Sequence, residues 1–252
     1  MCGRFTLRTP LTVLIQHFDL DSRGERQMPL FDARYNIAPT QDILVVRNDP
    51  RDGQRAATLL RWGLIPSWSK EPGGGPPIIN ARSETLAEKP TFRTAYRRRR
   101  CLIPADGFYE WQQSASGSKA KKQPFYIHRP DGAPFAFAGL WERWMQSSPS
   151  SASPAAESSV GDDSRPLAIE SCTIVTTTAN KTLRDLHDRM PVILAPNDYA
   201  KWLDPKSEDP AALQYLLAPC GDDELIADPV STHVNKVAND DASCVSVQRS
   251  LF

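Results

Sequence analysis

The chain has 252 residues, with 30 lysines plus arginines balanced by 30 aspartates plus glutamates. That balance removes any global pull toward nucleic acid, so a basic binding face has to be local. The five cysteines are scattered, odd in number and without a CxxC pair, which argues against a disulfide framework or zinc site and for reduced thiols in an intracellular protein.

The length suits one large domain or two small ones with a proper core. The N-terminus lacks a charged n-region followed by a long apolar run, and no stretch approaches membrane-spanning length. Neither a signal peptide nor a transmembrane anchor is expected.

The chain opens Met1-Cys2-Gly3-Arg4-Phe5. Initiator methionine is usually removed before a small residue, which would leave Cys2 with an α-amine of reference pKa ~7.7 to 8.0 and a thiol near ~8.5. Such a residue can condense with an aldehyde through its amine and close a five-membered thiazolidine through its sulfur. The residues alone leave a second reading open, in which Cys2 is only an early small residue.

Apolar residues at helical spacing (Leu11, Leu14, Ile15, Phe18) predict a short amphipathic helix over 10–18, with His17 as a surface or packing residue. Pro39 rules out a continuous helix over 34–41 and predicts an extended, shaped loop. Strands are expected at 43–46, 57–62 and 78–80, with an irregular Gly- and Pro-rich loop at 66–77 that holds Trp68.

A helical stretch over 83–97, interrupted at Pro90, ends in Arg97-Arg98-Arg99-Arg100, read as a solvated helix end or a phosphate contact. Strands follow at 101–103, 107–111, 123–128 and 135–141, with 114–122 as a hairpin loop. The Ser-, Ala- and Pro-rich segment 146–166 is an expected mobile insertion. A strand at 172–177, a helical piece at 181–186, a strand after His187, helices at 198–203 and 210–217 and a β-rich piece at 230–237 complete the chain. The expected fold is α+β and mainly β: one compact domain of short strands around a central cleft, flanked by a few short helices, over 2–240, with 241–252 as a tail.

An aldehyde reaction at Cys2 needs proton carriers. Glu110 lies in the apolar, aromatic run Gly107-Phe108-Tyr109-Glu110-Trp111, where burial would raise its pKa; it can equally be an outward strand residue. His187 stands at a strand entrance, as a site residue or a hydrogen-bonded structural histidine. Asn80, at a strand end, can hold a polar substrate or satisfy backbone groups.

Met1-Cys2-Gly3-Arg4-Phe5, Arg34-Tyr35-Asn36-Ile37-Ala38-Pro39, Trp62-Gly63-Leu64-Ile65-Pro66, Ile79-Asn80-Ala81-Arg82-Ser83-Glu84-Thr85, Pro104-Ala105-Asp106-Gly107-Phe108-Tyr109-Glu110-Trp111 and Leu186-His187-Asp188-Arg189-Met190-Pro191 resemble, in this order, the motifs of the SRAP family. These are the SOS-response-associated, abasic-site-processing proteins. The resemblance implies covalent capture of abasic sites in single-stranded DNA by Cys2 as a thiazolidine, with Glu110 shuttling protons, His187 assisting sugar ring opening and imine formation, and Asn80 holding the N-terminus or sugar.

It further implies phosphate contacts by Arg4, Arg82 and Arg189, an apolar wedge or stacking surface at Pro39 and Trp68, and Asn36 and Thr176 at the same DNA-binding cleft. Weak strand cleavage by β-elimination, no metal or other cofactor, no membrane partner, a monomer, and a cytoplasmic location (nucleoid-associated in a bacterium, nuclear in a eukaryote) belong to the same expectation. The chain departs from the family in having one tryptophan, Trp68, where a pair is frequent, and in the 146–166 insertion. Two other readings stay open: an N-terminal-cysteine amidohydrolase or peptidase using its α-amine as base, and a non-catalytic single-strand DNA-binding module.

Overall fold

The computed structural model describes residues 2–20, 32–49, 51–112, 122–146 and 168–248. Its strands in chain order are β1 (Phe5–Leu7), β2 (Arg34–Ile37), β3 (Asp42–Asn48), β4 (Arg55–Trp62), β5 (Asn80–Arg82), β6 (Arg100–Ala105), β7 (Gly107–Gln112), β8 (Gln123–His128), β9 (Phe135–Met145), β10 (Ala168–Thr178), β11 (Arg189–Pro191), β12 (Ile193–Leu194) and β13 (Ile226–Pro229). The α-helices are α1 (Leu11–Phe18), α2 (Pro90–Arg98), α3 (Tyr199–Leu203) and α4 (Pro210–Leu213), with short 3-10 turns between them. The result is the mainly β single domain that the sequence predicts. Among the described residues no helix is long and apolar enough to cross a membrane.

β10 is the organising strand. β3 pairs β4 and β6, β6 pairs β9, β9 pairs β10, and β10 pairs β4. These five strands therefore close on themselves as a barrel, which removes the open edges that would invite intermolecular pairing. Successive parts of one β10 edge take two partners: Ser171 and Cys172 pair β4, and Ile174 to Thr176 pair β5. Gly63 makes this hand-over possible. Its φ of +135° is one that side-chain-bearing residues rarely adopt, and it turns the chain out of β4 while its N–H still bonds Cys172 O at 2.9 Å.

The second sheet runs β13-β8-β7-β1-β2. Phe5 of β1 joins it to the barrel, its ring lying 5.2 Å from Trp62 and 5.8 Å from Phe137 in edge-on contacts. All three rings are buried, and burial of this kind contributes roughly 1.5–3 kcal/mol per side chain. Cys2, only three residues before Phe5, thereby adjoins a segment fixed by core packing. Gly107 opens β7 where the Tyr126 ring would lie 2.5 Å from a Cβ, so close that only glycine fits.

Some elements differ from their sequence reading. Residues 181–186 form turns instead of a helix: Asn180 caps a first turn, taking the Leu183 N–H on its Oδ1 and the Arg184 N–H on its carbonyl, and the stretch does not continue as a helix. The segment 230–237 contains a 3-10 turn, Thr232–Asn235, whose His233 N–H donates to the Ser231 hydroxyl; this local bond replaces the expected strand, and the strand lies earlier, in β13. β1 and β2 extend stretches read only as segment and loop. The residues 241–248 are no loose tail, since Asp240 receives the Tyr35 and Asn36 N–H groups, Cys244 is buried, and Val247 bridges Val230. Apart from Gln146 and Lys122, the 146–166 insertion and the 114–122 hairpin loop lie outside the described residues.

Candidate active site around Cys2

Cys2 is fully buried just before β1. Its carbonyl accepts a hydrogen bond from Asn80 Nδ2 at 2.9 Å, and its thiol faces Arg4 O at 3.9 Å. β5 begins at Asn80, so pairing with β10 aims the amide that holds the N-terminal residue. The Asn80 Oδ1 is buried and has no hydrogen-bond partner among the described residues, an acceptor of the kind an amine can fill.

β1 pairs β7 with Phe5 opposite Phe108, and the Tyr109 N–H donates to Arg4 O at 3.0 Å. Extending that register by two residues sets Glu110 beside Gly3. Burial pushes the Glu110 carboxyl above the usual carboxylate range, with nearby positive charge, His187 included, acting against it. The Cys2 thiol is also pushed up, first by burial and then by the Glu110 charge. Cys2, Glu110 and His187 thus share one electrostatic environment, and Asn80 is hydrogen-bonded to Cys2.

His187 is half-buried, and its Nδ1 has two claimants. The Arg189 N–H donates to it at 2.9 Å, whereas Asp188 Oδ1 lies 2.7 Å away and can bind only a protonated Nδ1. The backbone donor is held by β11 while Asp188 is exposed to water, so in its neutral form the ring would keep Nδ1 as acceptor and carry its proton on Nε2.

The residues expected to touch DNA fall into distinct settings. Arg82 is exposed and its side chain makes no hydrogen bond or ion pair with a described residue. Trp68 is 66% exposed, on a loop held by the Trp144 indole N–H, which donates to Ser69 O at 2.7 Å. Pro39 is half-buried. Its neighbour Thr40 lines, with Ser69, Gly73 and Ile169, a hollow of about 760 Å³ to which none of Cys2, Asn80, Glu110 and His187 contributes.

Arg4 is tethered, donating from Nη1 to Asn36 Oδ1 at 2.8 Å and Val234 O at 3.0 Å, with its guanidinium 6.0 Å from the Trp111 ring centre.

Three placements depart from expectation. Asn36 is fully buried and its Nδ2 donates to the carbonyls of Val234, Lys236 and Asn239, which makes it a brace behind Arg4. Thr176 is fully buried under Arg189. Arg189 itself is buried, binding both carboxylate oxygens of Glu84 and donating to Thr176 O at 2.6 Å, so its charge is neutralised from within. The sequence reading assigned no role to Glu84, although it lies inside one of the quoted stretches.

Over residues 1–237 the chain matches the family described as SOS response associated peptidase (SRAP). It is 41% identical over 254 residues, spanning 100% of both chains, to the abasic site processing protein YoaM of Bacillus subtilis (strain 168). It is 30% identical to the abasic site processing protein YedK of Escherichia coli (strain K12), across 97% of this chain and 99% of that one. The crystal structure of a Bacteroides thetaiotaomicron protein superposes with a TM-score of 0.75 at 25% identity, covering 99% of this chain and 100% of the other. With the match running through nearly the whole length and the fold agreeing, the chain belongs to the SRAP family.

Proposed function

We propose that this protein processes abasic sites in single-stranded DNA by capturing them covalently on Cys2 after removal of Met1. Its relatives YoaM and YedK bear the name abasic site processing protein. The observation that carries the reading is the Asn80 amide on the Cys2 carbonyl, which holds in place the residue whose amine and thiol would react, as an N-terminal nucleophile must be held.

The Cys2 α-amine adds to the C1 aldehyde of the ring-opened deoxyribose, and loss of one water gives an imine. His187, with its proton on Nε2, assists ring opening by moving a proton at the sugar oxygen. By way of Glu110 the thiol proton passes to the imine nitrogen, and the Cys2 sulfur then attacks the resulting iminium carbon: a C–S bond forms and C=N becomes C–N. Nothing else leaves in this step. Burial and Glu110 keep the thiol neutral in the resting protein, but a cationic iminium on the same residue reverses the local field, so thiolate forms only beside its electrophile. A carboxyl raised by burial can pass the proton in either direction, and reopening follows the same route. The imine also permits β-elimination, hence weak strand cleavage. Arg82 is the phosphate contact and Trp68 the stacking face.

The deciding experiment incubates purified protein with single-stranded DNA carrying one abasic site and runs a denaturing gel. Wild-type protein, lighter by one methionine in its intact mass, gives a shifted band. Cys2→Ala gives no stable band, and Cys2→Ser gives only an imine that borohydride traps. A stable cross-link in Cys2→Ala, or retention of Met1 in the active protein, overturns the proposal.

A further inference from the structure

Glu84 lies in the 3-10 turn Ser83–Thr85, immediately after β5, and holds Arg189 by both carboxylate oxygens. β5 and β11 flank β10 on opposite edges, and both meet it at Thr176, which pairs Arg82 on one side and Pro191 on the other. The Arg189 side chain crosses β10 at this point, binding Thr176 O at 2.6 Å on the way. One continuous set of contacts therefore joins Asn80, which holds Cys2, to Arg189, whose N–H holds His187 Nδ1 at 2.9 Å.

The Arg189 side chain is 10% exposed and the Glu84 side chain 48% exposed. A buried arginine stripped of its carboxylate shifts toward water or another acceptor, and β11, paired to β10 through only three residues, is short enough to follow it. Asp188 Oδ1, 2.7 Å from the same His187 nitrogen, then gains the proton-bearing Nδ1 and the tautomer reverses.

We propose that Glu84 is a positioning residue for His187: by anchoring Arg189 it keeps the Arg189 N–H on Nδ1, excludes the Asp188-paired tautomer and leaves the proton on Nε2. Its consequence for cross-linking rests on the abasic-site reading above, but its effect on the imidazole does not.

The test uses Glu84→Gln, which keeps shape and two polar atoms but removes the charge. Nitrogen-15 NMR of the His187 ring in the free protein, assigned by loss of its signals in His187→Ala, reads the tautomer directly. The wild-type ring is expected to be protonated at Nε2, and the Glu84→Gln ring to move toward protonation at Nδ1. Cross-linking to abasic single-stranded DNA should slow by roughly tenfold to a hundredfold, and Glu84→Gln combined with His187→Ala should be no slower than His187→Ala alone. An unchanged tautomer in Glu84→Gln, or rate losses that multiply in the double variant, overturns the role. If wild-type protein forms no cross-link, the abasic-site reading falls, and the NMR result alone decides whether Glu84 positions His187.

Discussion

On the proposed mechanism, Glu110 sets stability against chemistry. Burial raises its folded-state pKa above the ordinary 4.5, so over that window the native protein binds more protons than the unfolded chain. Stability is therefore lost as pH rises through the window, and the full cost is present above it. Glu110→Gln has no charge to desolvate. Its stability relative to wild type should rise as pH climbs above the ordinary 4.5, as read by urea unfolding at each pH, while cross-linking slows by ~10² to 10⁴. A stability difference that does not change with pH would show that desolvation is not what perturbs this carboxyl. The burial of Glu110 was legible because a carboxylate amid Phe108, Tyr109 and Trp111 is out of place unless buried. The fates of Asn36, Thr176 and Arg189 were not legible. Whether an arginine faces solvent or an internal carboxylate depends on pairing across β10, which spacing along the chain does not encode.

Among the elements, α2 shows how a uniform sequence run can divide by geometry. Arg97 and Arg98 are exposed as a solvated helix end should be, but Arg100 is buried at the start of β6. Its guanidinium donates to Tyr96 O, Arg97 O and Trp202 O, each at 2.6 Å, and to Asp204 O. One side chain thus satisfies terminal carbonyls of both α2 and α3, groups that have no partner within their own helices. Each buried acceptor left unmet costs about 1–3 kcal/mol. Arg100→Met should therefore lower unfolding free energy by about 3 kcal/mol or more, whereas Arg97→Ala should stay within about 0.5 kcal/mol; a chemical denaturation series on both variants checks this, and equal effects would contradict the capping role. Local apolar pattern marked α1, β3, β4 and β6 to β10, because each buries a face that repeats along its own sequence. It could not mark barrel closure. That closure depends on β10 meeting β4 and β9, partners distant in sequence, while at 230–237 the side chain of Ser231 decides the backbone locally.

For the whole molecule, equal numbers of acidic and basic residues mean that long-range attraction does not gather DNA. Binding has to come from a small local set of contacts, and burial has already sorted the candidate cations. Arg189 is neutralised by Glu84 and Arg4 is tethered to Asn36 and Val234 O, but Arg82 extends from the end of β5 into solvent, two residues from the Asn80 that holds Cys2. A phosphate flanking a sugar captured at Cys2 would meet Arg82 without any internal pair having to break. Arg98, paired with Glu208 at 3.3 Å at the C-terminus of α2, is a matched cation in a different element. Each phosphate contact releases condensed counterions from single-stranded DNA and adds roughly 0.7 to the slope of log affinity against log salt. Arg82→Ala should therefore weaken binding to single-stranded DNA and flatten that slope by about one contact's worth, with little dependence on base sequence. Arg98→Ala should leave both affinity and slope unchanged. Measuring binding by fluorescence anisotropy across a salt series, with Cys2→Ala as the background so that no covalent product accumulates, separates the two, and equal losses from both substitutions would place the binding groove elsewhere on the surface.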